Sequence, residues 1–188
     1  MAFELIYDHS YGTVSVEEIC QRAKVNKGSF YYFFRTKAEL AIQAYETHWQ
    51  SRRPEYDRIF SAQVPPLERL ENWCDFLVET QKQRAAKYGH ICGCPYGSVG
   101  AELATQDEQV RLKVQELIDH GIKYVASAIA DADDEGLLSV ADPEAMAQQV
   151  YAYAQGLLLQ AKIRNDLGVL RHVKPTVLAM LGVAGVVR

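Results

Sequence analysis

Between Thr13 and Glu46 the chain reads TVSVEEICQRAKVNKGSFYYFFRTKAELAIQAYE, and three helix-start signals fall inside it. Ser15 is followed three residues later by Glu18, and Thr36 by Glu39. A hydroxyl in that position accepts from the backbone amide three residues on while the carboxylate reaches back, so both pairs read as capping boxes. Asn26, a good N-cap, opens a further helix between them and is followed by Lys27-Gly28. Starts this close together leave room only for two short helices and the beginning of a long one, joined by tight turns. On the first short helix Val16, Ile19, Cys20 and Ala23 fall at a spacing that makes one buried face. On the second the apolar positions are Phe30, Phe33 and Phe34. A short helix, a tight turn and a second short helix form the helix-turn-helix pattern, whose second helix can lie in a major groove.

The charges point the same way. Arg22, Lys24, Lys27, Arg35 and Lys37 lie in a run of sixteen residues without Asp or Glu, on a chain whose net charge is −4. A local basic stretch on an acidic protein suits phosphate contact, because neutralising phosphates releases condensed counterions.

The residues Ser15, Val16, Ile19, Ala23, Val25, Lys27-Gly28, Phe30-Tyr31, Phe34, Lys37 and Leu40 resemble the DNA-binding domain of the TetR family of transcriptional regulators. KGSFYYFFRTKAEL is the specific part of the match. The resemblance implies an all-α protein. Residues 1–53 would form the helix-turn-helix DNA-binding domain, and residues 54–188 a helical-bundle ligand-binding and dimerisation domain. It also implies a homodimer, a palindromic double-stranded operator and a small-molecule inducer. Family members usually begin with another turn or two of helix and often a basic arm, so the first helix, Met1 to His9, is expected to be shortened. Phe33 departs from the family, which more often has His there.

Roles follow for the second short helix. Asn26, Lys27, Gly28, Ser29, Tyr31 and Tyr32 are expected on its exposed face, with Ser15 at the start of the first. Gly28 lets the backbone approach DNA closely. Lys27 and Lys37 suit phosphates, Lys37 at an anion-friendly helix N-terminus. Ser29 and Tyr32 are candidates for base edges, and Tyr31 for phosphate.

Length allows one small and one larger domain. Cys20, Cys74, Cys92 and Cys94 are too irregularly spaced to suggest a secreted disulfide scaffold. No apolar run approaches membrane-spanning length, and no charged segment followed by an apolar one opens the chain. A soluble cytoplasmic protein without cofactor or membrane contact is expected.

The long connecting helix is expected from Thr36 to about Arg53, with Arg52-Arg53-Pro54 ending it and Pro54 to Pro66 as the interdomain linker. Further helices are expected from Pro65-Pro66 to about Lys87, Pro95 to about Ala104, Asp107 to Ala132, and Asp142-Pro143 to about Asn165. Gly168 separates the last of these from a final helix, about Arg171 to Val186. LLLQAKI and VLAMLGVAGVV carry few charges, and exposed apolar surface of that kind usually marks an interface. In the family the last two helices of each subunit form a four-helix dimer contact.

Residues 89–103, GHICGCPYGSVGAEL, carry the other signal. Cys94 precedes Pro95, which suits the first position of a helix, so the thiol faces the positive end of a helix dipole. Three readings stand. Cys94, with Cys92 as a resolving partner, senses oxidation. Alternatively His90, Cys92 and Cys94 bind a metal, although Cys-x-Cys is narrower than the usual zinc spacing. In the third, they are small structural residues. Some TetR-family members with a similar Gly-Cys pair respond to oxidants or electrophiles, a resemblance that extends to Gly93 and Cys94 alone. A ligand pocket between bundle helices is expected, with Trp73, Tyr96, Tyr124, Tyr151, Tyr153 and Gln160 as candidate lining.

Taken together, these features are read as a dimeric ligand- or thiol-responsive repressor. An alternative is a Cys- or metal-dependent enzyme on a helical scaffold. His9, His48, His90, His120 and His172 form no recognisable spacing for it, and no phosphate loop or nucleophile elbow is present. A further alternative is a helical dimer with impaired DNA binding.

Overall fold

A computed structural model of the protein describes residues 1–183, and they contain helices and no strand. The order is α1 (Ala2–His9), α2 (Val16–Ala23), α3 (Lys27–Phe33), α4 (Lys37–Ile59), α5 (Pro66–Tyr88), α6 (Pro95–Leu103), α7 (Glu108–Asp134), α8 (Pro143–Arg164), a 3-10 segment (Leu167–His172) and α9 (Val173–Met180). The caps do their expected work. Ser15 Oγ accepts from the Glu18 amide at 3.0 Å, Asn26 Oδ1 from Ser29 at 2.7 Å, and Thr36 Oγ1 from Glu39 at 3.1 Å. The return contact is made differently from a standard box. Glu39 accepts from the amide of Arg35 at 2.6 Å, and Glu18 pairs with Arg22 at 3.4 Å.

Two compact units result: residues 1–53 with 95–118, and residues 54–94 with 119–188. The first is built on α1, whose Phe3, Leu5, Ile6 and Tyr7 are all buried. Phe3 stacks on His48 at 3.7 Å and meets Tyr45 edge-on. Ile19 and Cys20 from α2 and Phe30 from α3 are buried in the same unit. Between α2 and α3 the chain turns at Lys24, which is left-handed at φ 55°, and its amide and that of Val25 close onto Gln21 and Cys20 carbonyls.

In the second unit Leu70, Trp73 and Cys74 of α5 are fully buried, as are Val125 and Ile129 of α7 and Val150 of α8. Arg69 is buried too. Its Nε donates to the Val64 carbonyl at 2.6 Å and its Nη1 to Asp131, so a guanidinium pins the turn before α5 to α7. Enclosing a charge is tolerable only because it is paired and hydrogen-bonded.

Two expectations about elements need correcting. α4 does not stop at Arg53 but continues through Pro54 to Ile59. A helix interior proline loses one backbone hydrogen bond and costs roughly 3 kcal/mol. Burial of Tyr56, Ile59 and Phe60 beyond it offsets that cost. The expected final helix is two elements: the 3-10 segment, whose start Asp166 caps by accepting from Gly168 at 2.7 Å, and then α9. α9 ends at Met180, with Gly182 at φ 75°. The expected continuation to Val186 lies outside the described residues. The apolar side of α9 faces its own unit, with Val173, Val177 and Leu178 buried. Exposed apolar surface is found instead on α8, where Leu159 and Ile163 follow Ala152 and Gly156 along one face.

Candidate nucleic-acid interface

α3 is seven residues long. At about 1.5 Å per residue it measures roughly 10 Å, within a major groove about 12 Å wide. Phe30 anchors it from below and Phe34, half-buried, leaves the helix in extended backbone. The rest of the helix faces solvent. Tyr31 is 56%, Tyr32 83% and Phe33 72% exposed. Asn26, Lys27 and Gly28 are exposed and Ser29 is half-exposed. Phe33, expected with the apolar positions, therefore belongs to the outer face.

The cations are not equivalent. Lys27 pairs with Glu17 of α2, and both side chains are largely exposed. The hydrogen bond from Lys27 holds the Glu17 carboxyl below its ordinary range, and the carboxylate in turn raises Lys27. Lys24 and Arg35 are exposed at either end of α3. Lys37 departs from expectation. Its Nζ donates to the carbonyls of Tyr11 and Val14, each at 2.8 Å, and sits 3.9 Å over the Tyr11 ring. Burial lowers its pKa. Two of three ammonium protons are thus committed to the loop between α1 and α2, where Lys37 acts as a staple, and one is left for another partner. Ser15 is exposed, and its oxygen is occupied as a cap while its hydroxyl proton can still be donated.

Glu102 was not singled out by sequence. It reaches from α6 to the same loop and accepts from the amides of Tyr11, at 3.1 Å, and Gly12. A Cβ on Gly12 would lie 2.7 Å from that carboxylate, so a larger residue there would push the Glu102 side chain aside. The α1–α2 loop is thus held by a carboxylate of α6 and an ammonium of α4.

The Cys-containing segment is held within its own unit. Gln81, buried on α5, makes a two-point contact with Gly93: its Nε2 donates to the carbonyl at 3.1 Å and its Oε1 accepts from the amide at 3.0 Å. Asn165 Oδ1 accepts from the Ile91 amide at 3.0 Å. Gly93 sits at φ 76°, where a Cβ would meet Lys162 and the Leu158 carbonyl at 3.3–3.4 Å. Cys92 is buried with its Sγ 3.8 Å from the His90 carbonyl, Cys94 is half-buried directly before α6, and all four cysteines are free thiols. Among the described residues no three His, Cys, Asp or Glu side chains gather as a metal site.

Of the six lining candidates, Trp73 and Tyr151 stack at 5.9 Å. Tyr151 presses on Gly121, where a Cβ would lie 2.6 Å from its hydroxyl. The indole N–H of Trp73 is buried with no hydrogen-bond acceptor. Tyr124 belongs to another ring cluster with Tyr56 and Phe60, and its hydroxyl donates to Asp57. Tyr96 lies in the first unit beside Tyr45 and His48. Tyr153 bonds to the His172 carbonyl at 3.3 Å. Gln160 is exposed and accepts from Arg164, so it does not line a buried site.

A helix-turn-helix with an outward, basic and aromatic second helix, followed by a helical unit, defines a DNA-binding regulator. Comparison with known proteins makes the class specific. Residues 1–44 match the profile described as bacterial regulatory proteins, tetR family, and residues 66–177 that of the tetracyclin repressor-like C-terminal domain. An HTH-type transcriptional regulator from the lacX 3' region of Lactococcus lactis is 31% identical over 170 residues, covering 89% of this chain and 82% of its own. The repressor NemR of Escherichia coli K12 is 25% identical over 183 residues, covering 91% and 87%. Among solved structures, reduced E. coli NemR superposes with TM-score 0.81 at 22% identity, covering 98% of this chain and 95% of that one. A regulatory protein TetR from Rhodobacter sphaeroides gives 0.81 at 26%, covering 95% and 93%. The chain belongs to the TetR family of transcriptional regulators.

No helix among the described residues is long and apolar enough to cross a membrane.

Proposed function

We propose that the protein is a cytoplasmic homodimeric repressor that binds a palindromic operator through α3 and releases it on ligand binding or thiol modification. The observation that carries this reading is the outer face of α3. Lys27, Ser29, Tyr31 and Tyr32 are accessible there, beside exposed Lys24 and Arg35. In this reading Lys27 and Tyr31 take phosphates, Ser29 and Tyr32 take base edges, and Gly28 permits close approach. Ser15 and Asn26 add contacts at their helix starts.

The α8 face formed by Ala152, Gly156, Leu159 and Ile163 supports a dimer, because small residues let a second helix approach and two large ones supply apolar area. Two-fold symmetry then sets the reading helices about 34 Å apart, one turn of DNA.

The unsatisfied Trp73 indole donor, stacked on Tyr151, supports a ligand that brings a hydrogen-bond acceptor. The thiol reading is supported by Cys94, half-buried at the start of α6, whose far end holds the α1–α2 loop through Glu102. One related structure is that of E. coli NemR in its reduced form.

Titration of labelled duplex against protein at several salt concentrations tests the proposal. The expected result is selective binding to the DNA upstream of the protein's own gene, with affinity falling steeply with salt. Weak, sequence-blind binding contradicts it. Hypochlorite should release wild-type protein from DNA and spare Cys94→Ser; an equal response overturns the thiol arm alone.

A further inference from the structure

α3 exposes more apolar surface than phosphate contact requires. Tyr32 and Phe33 stand edge to face, ring centres 4.9 Å apart and planes at 89°, on the solvent side of the helix. Packing does not account for them, since Phe30 and Phe34 already supply the inward side. Keeping large rings in water forgoes the stabilisation that burying apolar surface brings. Phenylalanine also has no hydrogen-bonding group, so Phe33 cannot take a phosphate or a polar base edge.

The surroundings narrow the occupant. Residues 22–37 contain no carboxylate, and Lys24 and Arg35 flank the rings. The complementary partner is a polyanion that also presents an apolar group. In the major groove that group is the C5-methyl of thymine, since the other base-edge groups are polar. Ser29 lies three residues before Tyr32 and four before Phe33, so the three share one helical face and reach neighbouring positions.

We infer that Phe33, braced by Tyr32, is a specificity-determining residue that reads a thymine methyl in each half-site. This rests on the reading of α3 as the DNA-reading helix. The pair forms an apolar shelf against which the methyl packs, while Ser29 contacts an adjacent base edge.

The test begins with an operator selected by the full-length protein from random duplexes. Each thymine is then replaced singly by deoxyuridine, which removes the methyl and keeps every hydrogen-bonding group. Affinities are read by fluorescence anisotropy. At one or two positions per half-site, deoxyuridine should weaken binding on the order of three- to tenfold. Phe33→Ala should weaken the thymine duplex similarly and erase the thymine–deoxyuridine difference. Phe33→Leu, which keeps an apolar side chain, should retain part of it. Circular dichroism confirms that the variants are folded. If every deoxyuridine duplex binds like its parent, or if Phe33→Ala keeps the full difference, the inference is overturned and the DNA-reading role of α3 survives. If no sequence is selected at all, both fall together.

Discussion

α3 and the Gly89–Cys94 segment handle their side chains in opposite ways. α3 turns its large rings outward and keeps one, Phe30, for the core. The other segment turns inward. Ile91 and Cys92 are buried, and its backbone polar groups are taken up by Gln81 and Asn165 rather than by water. The first arrangement leaves binding energy unspent on the surface. The second fixes a backbone that lies between two helices, and a fixed backbone fixes the direction of the thiol that follows it. Recognition needs accessible groups on a rigid support, whereas sensing needs a defined local geometry that a chemical change can upset.

The largest expected effect separates the two sides of α3. Phe30→Ala should cost about 3–5 kcal/mol in urea unfolding, as for other buried rings. Tyr32→Ala should change stability by less than about 0.5 kcal/mol while weakening operator binding. Equal losses of stability would mean that the outer rings are structural.

The inward segment is probed next. Gln81→Leu fits the apolar surroundings but removes the two buried hydrogen bonds to Gly93. At about 0.5–1.5 kcal/mol for each hydrogen bond, a loss of roughly 1–3 kcal/mol is expected in the same unfolding assay. A neutral result would show that the two-point contact does not hold the segment.

Cys74 offers a pH test. Burial pushes its thiol from the ordinary 9.0 up to about 12. A raised folded-state pKa means that stability is fully present below pH 9 and is lost as pH rises toward 12. The slope is about 1.4 kcal/mol per pH unit for one proton. Wild type should therefore lose stability faster than Cys74→Val across that window, as read by urea midpoints. Iodoacetamide on the native protein at pH 8 should label Cys94 before Cys20, Cys74 or Cys92, because only Cys94 is not fully buried.

The smallest effect concerns Glu17. Glu17→Gln frees Lys27 from its carboxylate partner, so DNA binding should tighten modestly. The slope of log affinity against log salt should steepen by about 0.9 for each phosphate gained in each subunit. An unchanged slope would mean that Lys27 does not reach phosphate even when released.

The contrast between the two regions also explains what could be read in advance. α2 and α3 were legible because their determinants are local: Ser15, Asn26 and Thr36 each cap an amide three residues away. α4 was ended too early because Pro54 is a local breaker, and only the burial of Tyr56 and Ile59 overrides it. The contacts of Lys37 with the α1–α2 loop were hidden for a related reason. Its partners, Tyr11 and Val14, are distant in sequence, so a basic residue at a helix start looked free for phosphate. Glu102 was invisible on the same grounds, since the loop it grips is some ninety residues away. Gln81 did leave a trace. It continues the apolar stripe of Leu70, Trp73, Cys74 and Leu77 at helical spacing, and a lone polar residue on such a stripe calls for a buried hydrogen-bond partner.

The central claim is that paired copies of α3 read DNA from their exposed faces. Selection of random duplexes by the full-length protein, followed by hydroxyl-radical footprinting, tests it most directly. The account predicts an enriched palindrome with half-site centres about 10 base pairs, or a multiple of one helical turn, apart. It also predicts that Tyr32→Ala, while still folded, loses the enrichment. A single undivided site, or a Tyr32→Ala protein that selects the same sequence with the same strength, would contradict it.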